Sequence, residues 1–508
     1  MENPIQIGTF SPRTKRAALL LGPILALILY FILPDTYMDT SGKEVVFSHA
    51  GKACLAMLLW MALWWFTECV PIAVTAMLPL VSYPLLGVAT AAKTMQPYAS
   101  GTIFLFLGGF LLAAGIQRWG LDRRIALMTL KFVGTSFKAI VFGMLCSTAF
   151  ISMWVSNSAT AAMMVPIAVA VMGLVRVSQG DKPLTPEERN FGIAVLLAVA
   201  YGASIGGMAT IIGSPPNGIY VRFVEQTYGD TVSLLEWMLI GLPVTLLLLP
   251  LCWYMLTGIL FKKSITEVAG GREWIRSELL KLGKLSTGEK AVLLVFICTV
   301  LLWVFGGLIR SIEINGAFPL KGLTDEVISM AGGLTLFTIP VDKKKGIHAL
   351  DWKDCESIPW DVLLLFGGGL SMAAAIQSTG GAQLIAAQAT VAAGLPEIVI
   401  VLAVCTLVVF ATEFTSNTAL AATMLPLLAA AAPTLGVNSE TLLLVTALGA
   451  SAAFMMPVAT PPNAIVFGTG RMQIMDMVKA GFLLNIIAIV VITGVVMAAK
   501  TNWLALIQ

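Results

Sequence analysis

Gly213-Ser214-Pro215-Pro216-Asn217 lies inside an apolar run that covers 191–222, and Ala459-Thr460-Pro461-Pro462-Asn463 lies inside another, 441–468. A Pro-Pro pair removes two backbone donors, so neither run continues as an unbroken helix through it. In hydrocarbon the freed carbonyls are too costly to leave bare, so each break has to border a polar cavity. That argument needs the rest of the chain to be membrane, and it is. Of the 508 residues 58% are hydrophobic and 12% charged, against about 25% charged in ordinary soluble domains. Mean hydropathy is +0.89, and many apolar runs reach the ~18 residues that cross a bilayer.

Read against turn and charge signals, the runs predict spans near 17–34, 51–67, 70–88, 102–117, 191–222, 234–261, 289–309, 323–341, 359–377, 441–468 and 480–499. Two further stretches, 139–175 and 397–434, are apolar but interrupted midway by Ser/Asn/Thr clusters, the pattern of re-entrant hairpins. The expected fold is an all-α polytopic membrane protein of about eleven spans and two hairpins. With the N-terminus inside, 24 of the 31 Lys and Arg fall on one face, as the positive-inside rule requires; the C-terminus is then outside. Arg13, Lys15 and Arg16 precede a first run with no small-residue cleavage site, which reads as an uncleaved helix. A net charge of +3 with basic residues in short clusters gives no nucleic-acid footprint. The seven cysteines show no metal or disulfide spacing.

The two halves repeat. Phe106-Leu-Gly-Gly through Gly120 aligns with Phe366-Gly-Gly-Gly through Gly380 at a shift of 260, which also carries Ser152 to Thr412, Ser156-Asn157-Ser158 to Ser416-Asn417-Thr418, and Pro166 to Pro426. Tyr201-Gly-Ala-Ser204 matches Leu448-Gly-Ala-Ser451 and Ser214 matches Thr460, at shifts of 247 and 246; the longer charged loop 176–190 explains the drop. The expected units are 1–50 with the first span, repeat one over 51–261, a cytoplasmic linker 262–288, repeat two over 289–499, and a tail 500–508. Each repeat holds five crossings and one hairpin. An odd number forces the copies into opposite orientations, an arrangement that supports alternating access.

Freed carbonyls and hydroxyl oxygens at the breaks are hard ligands for an alkali cation. Asn and Ser/Thr groups, with the N–H groups that open each outgoing hairpin limb, are donors for a carboxylate. No Lys or Arg lies within these motifs, so helix N-termini and bound cations have to supply the positive potential an anion needs. Two equivalent donor motifs imply an anion with two charged ends.

The paired Ser-Asn-Ser/Thr motifs, the paired Ser/Thr-Pro-Pro-Asn breaks and the inverted repeat resemble the divalent anion/sodium symporter family, over nearly the whole chain. That resemblance implies a homodimeric elevator in a bacterial inner membrane, importing C4 dicarboxylates with at least two sodium ions. It implies one sodium site at Ser152, Ser156, Asn157 and the Gly213 carbonyl, and another at Thr412, Thr415, Asn417 and the Ala459 carbonyl. Substrate contacts fall on Asn157, Ser158, Asn417, Thr418 and Pro461, with Ser214 and Thr460 adjacent. Ser158 stands where the family motif usually has Thr. A sodium-independent dicarboxylate, 2-oxoglutarate or citrate exchanger is the alternative. The spans lack the His, paired Asp or nucleophile–base pair that an intramembrane enzyme requires. A single Ser/Asn/Thr motif at a helix start is an ordinary N-cap, whereas two in register, each followed by a proline break, favour a site. Gly108-Gly109 and Gly367-Gly369 read as helix-packing positions. Glu413, whose counterpart is Met153, reads as a structural hydrogen-bonding acid rather than an ion ligand.

Overall fold

The computed structural model describes residues 12–502 apart from 39–42, 178–184, 263, 266, 269, 315–316 and 389–393. Lys182, Lys263 and the tail beyond 502 therefore lie outside the described residues. Helices dominate; the strands described form two small antiparallel ribbons, Thr36–Met38 with Glu44–Val46 and Pro340–Asp342 with Ile347–His348.

Among the described residues ten helices are long and apolar enough to cross a membrane. Eight coincide with expected spans, and two, Asn157–Val175 and Asn417–Leu435, are the outgoing limbs of the expected hairpins. Three expected spans come out shorter. The run 70–88 contains Pro71, Pro79 and Pro84, and forms only Ile72–Ala76 and Leu78–Leu85; 323–341 forms Asp325–Thr338; 441–468 is divided at its proline pair. The span at 102–117 is longer, because a short helix and a 3₁₀ turn from Ala91 feed into Gly101–Arg118. In the basic stretch 118–138 an amphipathic helix forms, Leu121–Val133. It is tied down by Arg124, which donates to the Glu289 carboxylate and to the Leu282 and Gly283 carbonyls. Arg123 bonds Glu278 on Gly271–Leu282, so the linker 262–288 clamps that helix.

At each interrupted stretch, where a hairpin is expected, two helices form with a break between them. The incoming limbs are Phe137–Ser152 and Glu397–Ala411, and the outgoing limbs begin at Asn157 and Asn417. The split runs are Pro186–Gly207 followed by Pro215–Tyr228, and Ser439–Ala450 followed by Pro461–Phe467. Each incoming limb packs along the first part of its own half's split run. The outgoing limbs cross over: Asn157–Val177 packs on Pro461–Phe467, and Asn417–Leu435 on Pro215–Tyr228. Each outgoing limb thus bridges the halves, while its Ser-Asn tip lies at the break of its own half.

Candidate functional site

Proline explains where the second helical segments start. Pro215 and Pro461 open their helices, where a missing N–H leaves no bond unmade. The carbonyls stranded at the end of the preceding segments are not all free. Asn217 Nδ2 donates to the Gly207 and Thr210 carbonyls at 3.0 and 2.8 Å. Asn463 Nδ2 does the same to Ala453 and Met456 at 3.3 and 3.0 Å. One side chain therefore starts the new segment and caps the old one. In each half two of the freed carbonyls thus accept from the break's own asparagine, and the Gly213 and Ala459 carbonyls expected as ligands are not among them. Both asparagines are fully buried, and their Oδ1 atoms have no partner.

The oxygens that do gather lie at the hairpin tips. Ser152 Oγ is 2.6 Å from Asn157 Oδ1 and 2.8 Å from the Ala203 carbonyl. Thr412 Oγ1 is 2.6 Å from Asn417 Oδ1 and 2.9 Å from the Ala450 carbonyl. A hydroxyl has one proton, so in each half two acceptors compete for it. At Asn157 the crowding is greater. The amide atom facing Ser152 is also 3.1 Å from the Gly213 carbonyl and 3.0 Å from that of Ala203. With nitrogen turned inward the amide donates to these oxygens; with oxygen turned inward, four oxygens converge and only a cation satisfies them. Gly207 makes the approach possible, since a Cβ there would sit 2.5 Å from Asn157 Oδ1. Among the described residues no group of three or more His, Cys, Asp or Glu could hold a metal ion, so a cation here is met by neutral oxygens, which suit an alkali ion rather than a transition metal.

The remaining expected residues divide. Ser156 and Ser416 cap their outgoing limbs weakly, accepting from Ala159 and Ala419 at 3.4 and 3.5 Å, the ordinary N-cap role. Asn157, Ser158 and Asn417 are half-buried, Pro461 is exposed, and Thr415, Thr418, Thr460 and Ala459 are buried. Ser214 is 1% exposed and its hydroxyl bonds Ser451 Oγ at 2.8 Å, joining the two breaks to each other. Thr460 instead accepts from Asn463 N.

Sequence reasoning missed Ser451, and gave Glu413 a role without partners. Glu413 is fully buried and accepts backbone N–H bonds from Phe454, Met455 and Met456, each 2.8 Å, and a fourth from Asn485 Nδ2 at 2.7 Å. It is the acceptor for the unwound segment of the second half. Two cavities flank the assembly. The smaller, about 390 Å³, lies between Leu121–Val133 and the first outgoing limb, with Asp122 and Arg123 in its wall; burial pushes the Asp122 carboxyl up to about 6. The larger, about 970 Å³, lies beyond the C-terminal half of Pro215–Tyr228.

Crossed hairpins, two proline-broken helices and a polar centre define a polytopic membrane transporter. Solved structures share the overall fold: the Alcanivorax borkumensis YdaH transporter superposes with TM-score 0.58 at 14% identity, covering 97% of this chain and 98% of that one. Neisseria gonorrhoeae MtrF, described as one of a class of antimetabolite efflux pumps, gives 0.57 at 10%, covering 97% and 95%. Residues 24–508 match the family model described as the sodium:sulfate symporter transmembrane region. A protein of Staphylococcus saprophyticus named sodium-dependent dicarboxylate transporter SdcS is 39% identical over 482 residues, 94% of this chain and 90% of the relative. Its namesake in Staphylococcus aureus is 36% identical over 481 residues, with the same coverage. The chain belongs to the sodium:sulfate symporter family.

Proposed function

We propose that this chain imports C4 dicarboxylates, such as succinate, fumarate and malate, coupled to at least two sodium ions. The observation that carries the proposal is the oxygen cluster repeated in both halves, Ser152–Asn157–Ala203 with Gly213, and Thr412–Asn417–Ala450. With the Asn157 oxygen turned inward, as that of Asn417 is, each holds more oxygen than its protons can serve, which a cation relieves. The names of the 39% and 36% identical relatives support the same pairing of ion and substrate. Ser156 with the Gly213 carbonyl, and Thr415 with the Ala459 carbonyl, complete the proposed ion sites. Asn157, Ser158, Asn417 and Thr418 present amide and hydroxyl donors to the two carboxylates, with Pro461 at the exposed lip and Ser214 and Thr460 behind. A bound cation beside each amide supplies the positive potential that the motifs lack, so anion binding requires the ion.

In this reading the N-terminus is cytoplasmic, the C-terminus is outside, and the protein is a homodimer in a bacterial plasma membrane. The hairpins and broken helices, held together by the Ser214–Ser451 bond, travel as one body against the other spans. The test is uptake of radiolabelled succinate into proteoliposomes, with and without an inward sodium gradient, and with succinate inside to expose exchange. Sodium-driven uptake is expected, and Asn157→Ala or Asn417→Ala should abolish it while leaving a folded dimer in size-exclusion chromatography. Uptake that survives in both variants removes the site assignment; uptake that needs internal succinate and ignores sodium makes the protein an exchanger.

A further inference from the structure

The larger cavity contains none of the motif residues, yet it is built for an anion. Its volume of about 970 Å³ is that of a small-molecule pocket. It opens where the C-terminal half of Pro215–Tyr228, the end of Trp360–Ser378 and the turn 84–97 meet. Two cations, Lys93 and Arg222, are in its wall, and no Asp or Glu is. Lys93 is exposed. Arg222 is 17% exposed and donates through Nη1 to Glu225 Oε2 at 2.7 Å. Glu225, outside the wall and 37% exposed, uses one of the five donors of the guanidinium, and Arg222 Nε has no partner. Gln226 Oε1 and Ser371 Oγ, also of this wall, are buried without a hydrogen bond. The Arg222 Nε–H and the Ser371 hydroxyl are donors left for an anionic occupant, and the Gln226 amide becomes one when its nitrogen is turned inward. The helix that carries Arg222 begins at the break: Arg222 follows Ser214 by eight residues, about 12 Å along the axis.

We infer that this cavity is a capture site for the dicarboxylate dianion, one helix length from the break, where Arg222 exchanges Glu225 for a substrate carboxylate and Lys93 draws the anion to the rim. The inference rests on the dicarboxylate reading given above. A planar guanidinium holds a carboxylate with two parallel bonds, whereas Glu225 holds it with one. The Arg222–Glu225 pair is wet enough to be weak, so it yields to a dianion that interacts with both cations. Glu225 is thus a competitor for the position the substrate takes, and its removal should act in the opposite sense to the removal of Arg222.

The experiment measures initial rates of radiolabelled succinate uptake against concentration, with the full-length protein in proteoliposomes at one fixed sodium gradient. Arg222→Gln is expected to raise KM roughly three- to tenfold with the maximal rate kept, as loss of one partly screened charge contact does. Glu225→Gln is expected to lower KM. Lys93→Gln, at an exposed position that leaves folding untouched, is expected to raise KM by less, and the rise should shrink when choline chloride is added. Equal KM values in all three variants overturn the inference, as does a fall in maximal rate at constant KM in both Arg222→Gln and Glu225→Gln, which marks a structural ion pair. Each variant is assayed in vesicles of neutral lipid and in vesicles with added anionic lipid. KM shifts that appear only with anionic lipid assign the cavity to a lipid headgroup and also overturn it. Wild-type uptake with unshifted variants removes the capture site alone, whereas no wild-type uptake of any dicarboxylate removes both readings.

Discussion

The two breaks face the same problem and solve it from opposite sides. An unwound stretch inside a membrane exposes N–H and C=O groups that water cannot reach. In the first half the polar side chain belongs to the unwound stretch itself: Thr210 Oγ1 donates to the Met153 carbonyl at the hairpin tip and accepts from Gly213 N at 3.0 Å. In the second half it belongs to the hairpin, where Glu413 takes the N–H groups of 454–456. The matching asparagine bonds pair Thr210 with Met456, and the hairpin register pairs Met153 with Glu413. Each half therefore has one methionine and one polar residue at these two positions, in exchanged order. Duplicated sequence preserved the backbone break and left open which strand of the contact supplies its partner. The consequence is unequal: the second half contains a carboxylate where the first is neutral.

Removing the polar group from each side measures that inequality. Glu413→Gln replaces a four-bond carboxyl acceptor with an amide, which offers one oxygen instead of two and leaves N–H groups in apolar surroundings. A stability loss of about 3 kcal/mol is expected in detergent unfolding; a loss within error would mean that the carboxylate does not hold the segment. Gly207→Ala tests the closer packing of the first half, because its counterpart Ala453 already bears a methyl. The added Cβ would press on Asn157 Oδ1 and the Gly213 carbonyl, and sodium-driven uptake should fall about tenfold, equal to about 1.4 kcal/mol. Thr210→Val, nearly the same shape, removes a single neutral hydroxyl and should cost about 1 kcal/mol; a cost equal to that of Glu413→Gln would erase the contrast drawn here. The smallest effect is expected of Ser158→Thr, which makes the first motif match Thr418 in the second. KM for succinate should move by less than about threefold, since a methyl contributes on the order of 1 kcal/mol or less at a half-buried position.

What could be read from the sequence was what proline, asparagine and charge determine locally. The proline pairs marked the breaks, the Ser-Asn motifs marked the hairpin tips, and the family followed from their order. Contacts made across long sequence separations were not legible. Glu413 was recognisable as an unusual acid, but its donors lie 41 to 72 residues further on and no periodicity points to them. Ser214 and Ser451 are 237 residues apart, and nothing local pairs them. By residue type the asparagines of the breaks are donors for a ligand, and only the folded chain places their amides on neighbouring carbonyls. Leu121–Val133 is readable in the sequence, with apolar residues recurring at helical spacing among its Arg and Lys. At 70–88 hydropathy outweighed the prolines, and the expected span was longer than the helix those prolines allow.

The hydroxyl pair between the breaks has one further implication. The register that places Ser204 opposite Ser451, and Thr460 opposite Ser214, offers this fold two equivalent latches, and only one is fastened. Ser214 and Ser451 are joined, while the buried Ser204 hydroxyl has no partner and Thr460 turns to its own helix. The two breaks are thus joined by one hydroxyl pair where the sequence match supplies hydroxyls for two, and the join between them is one-sided.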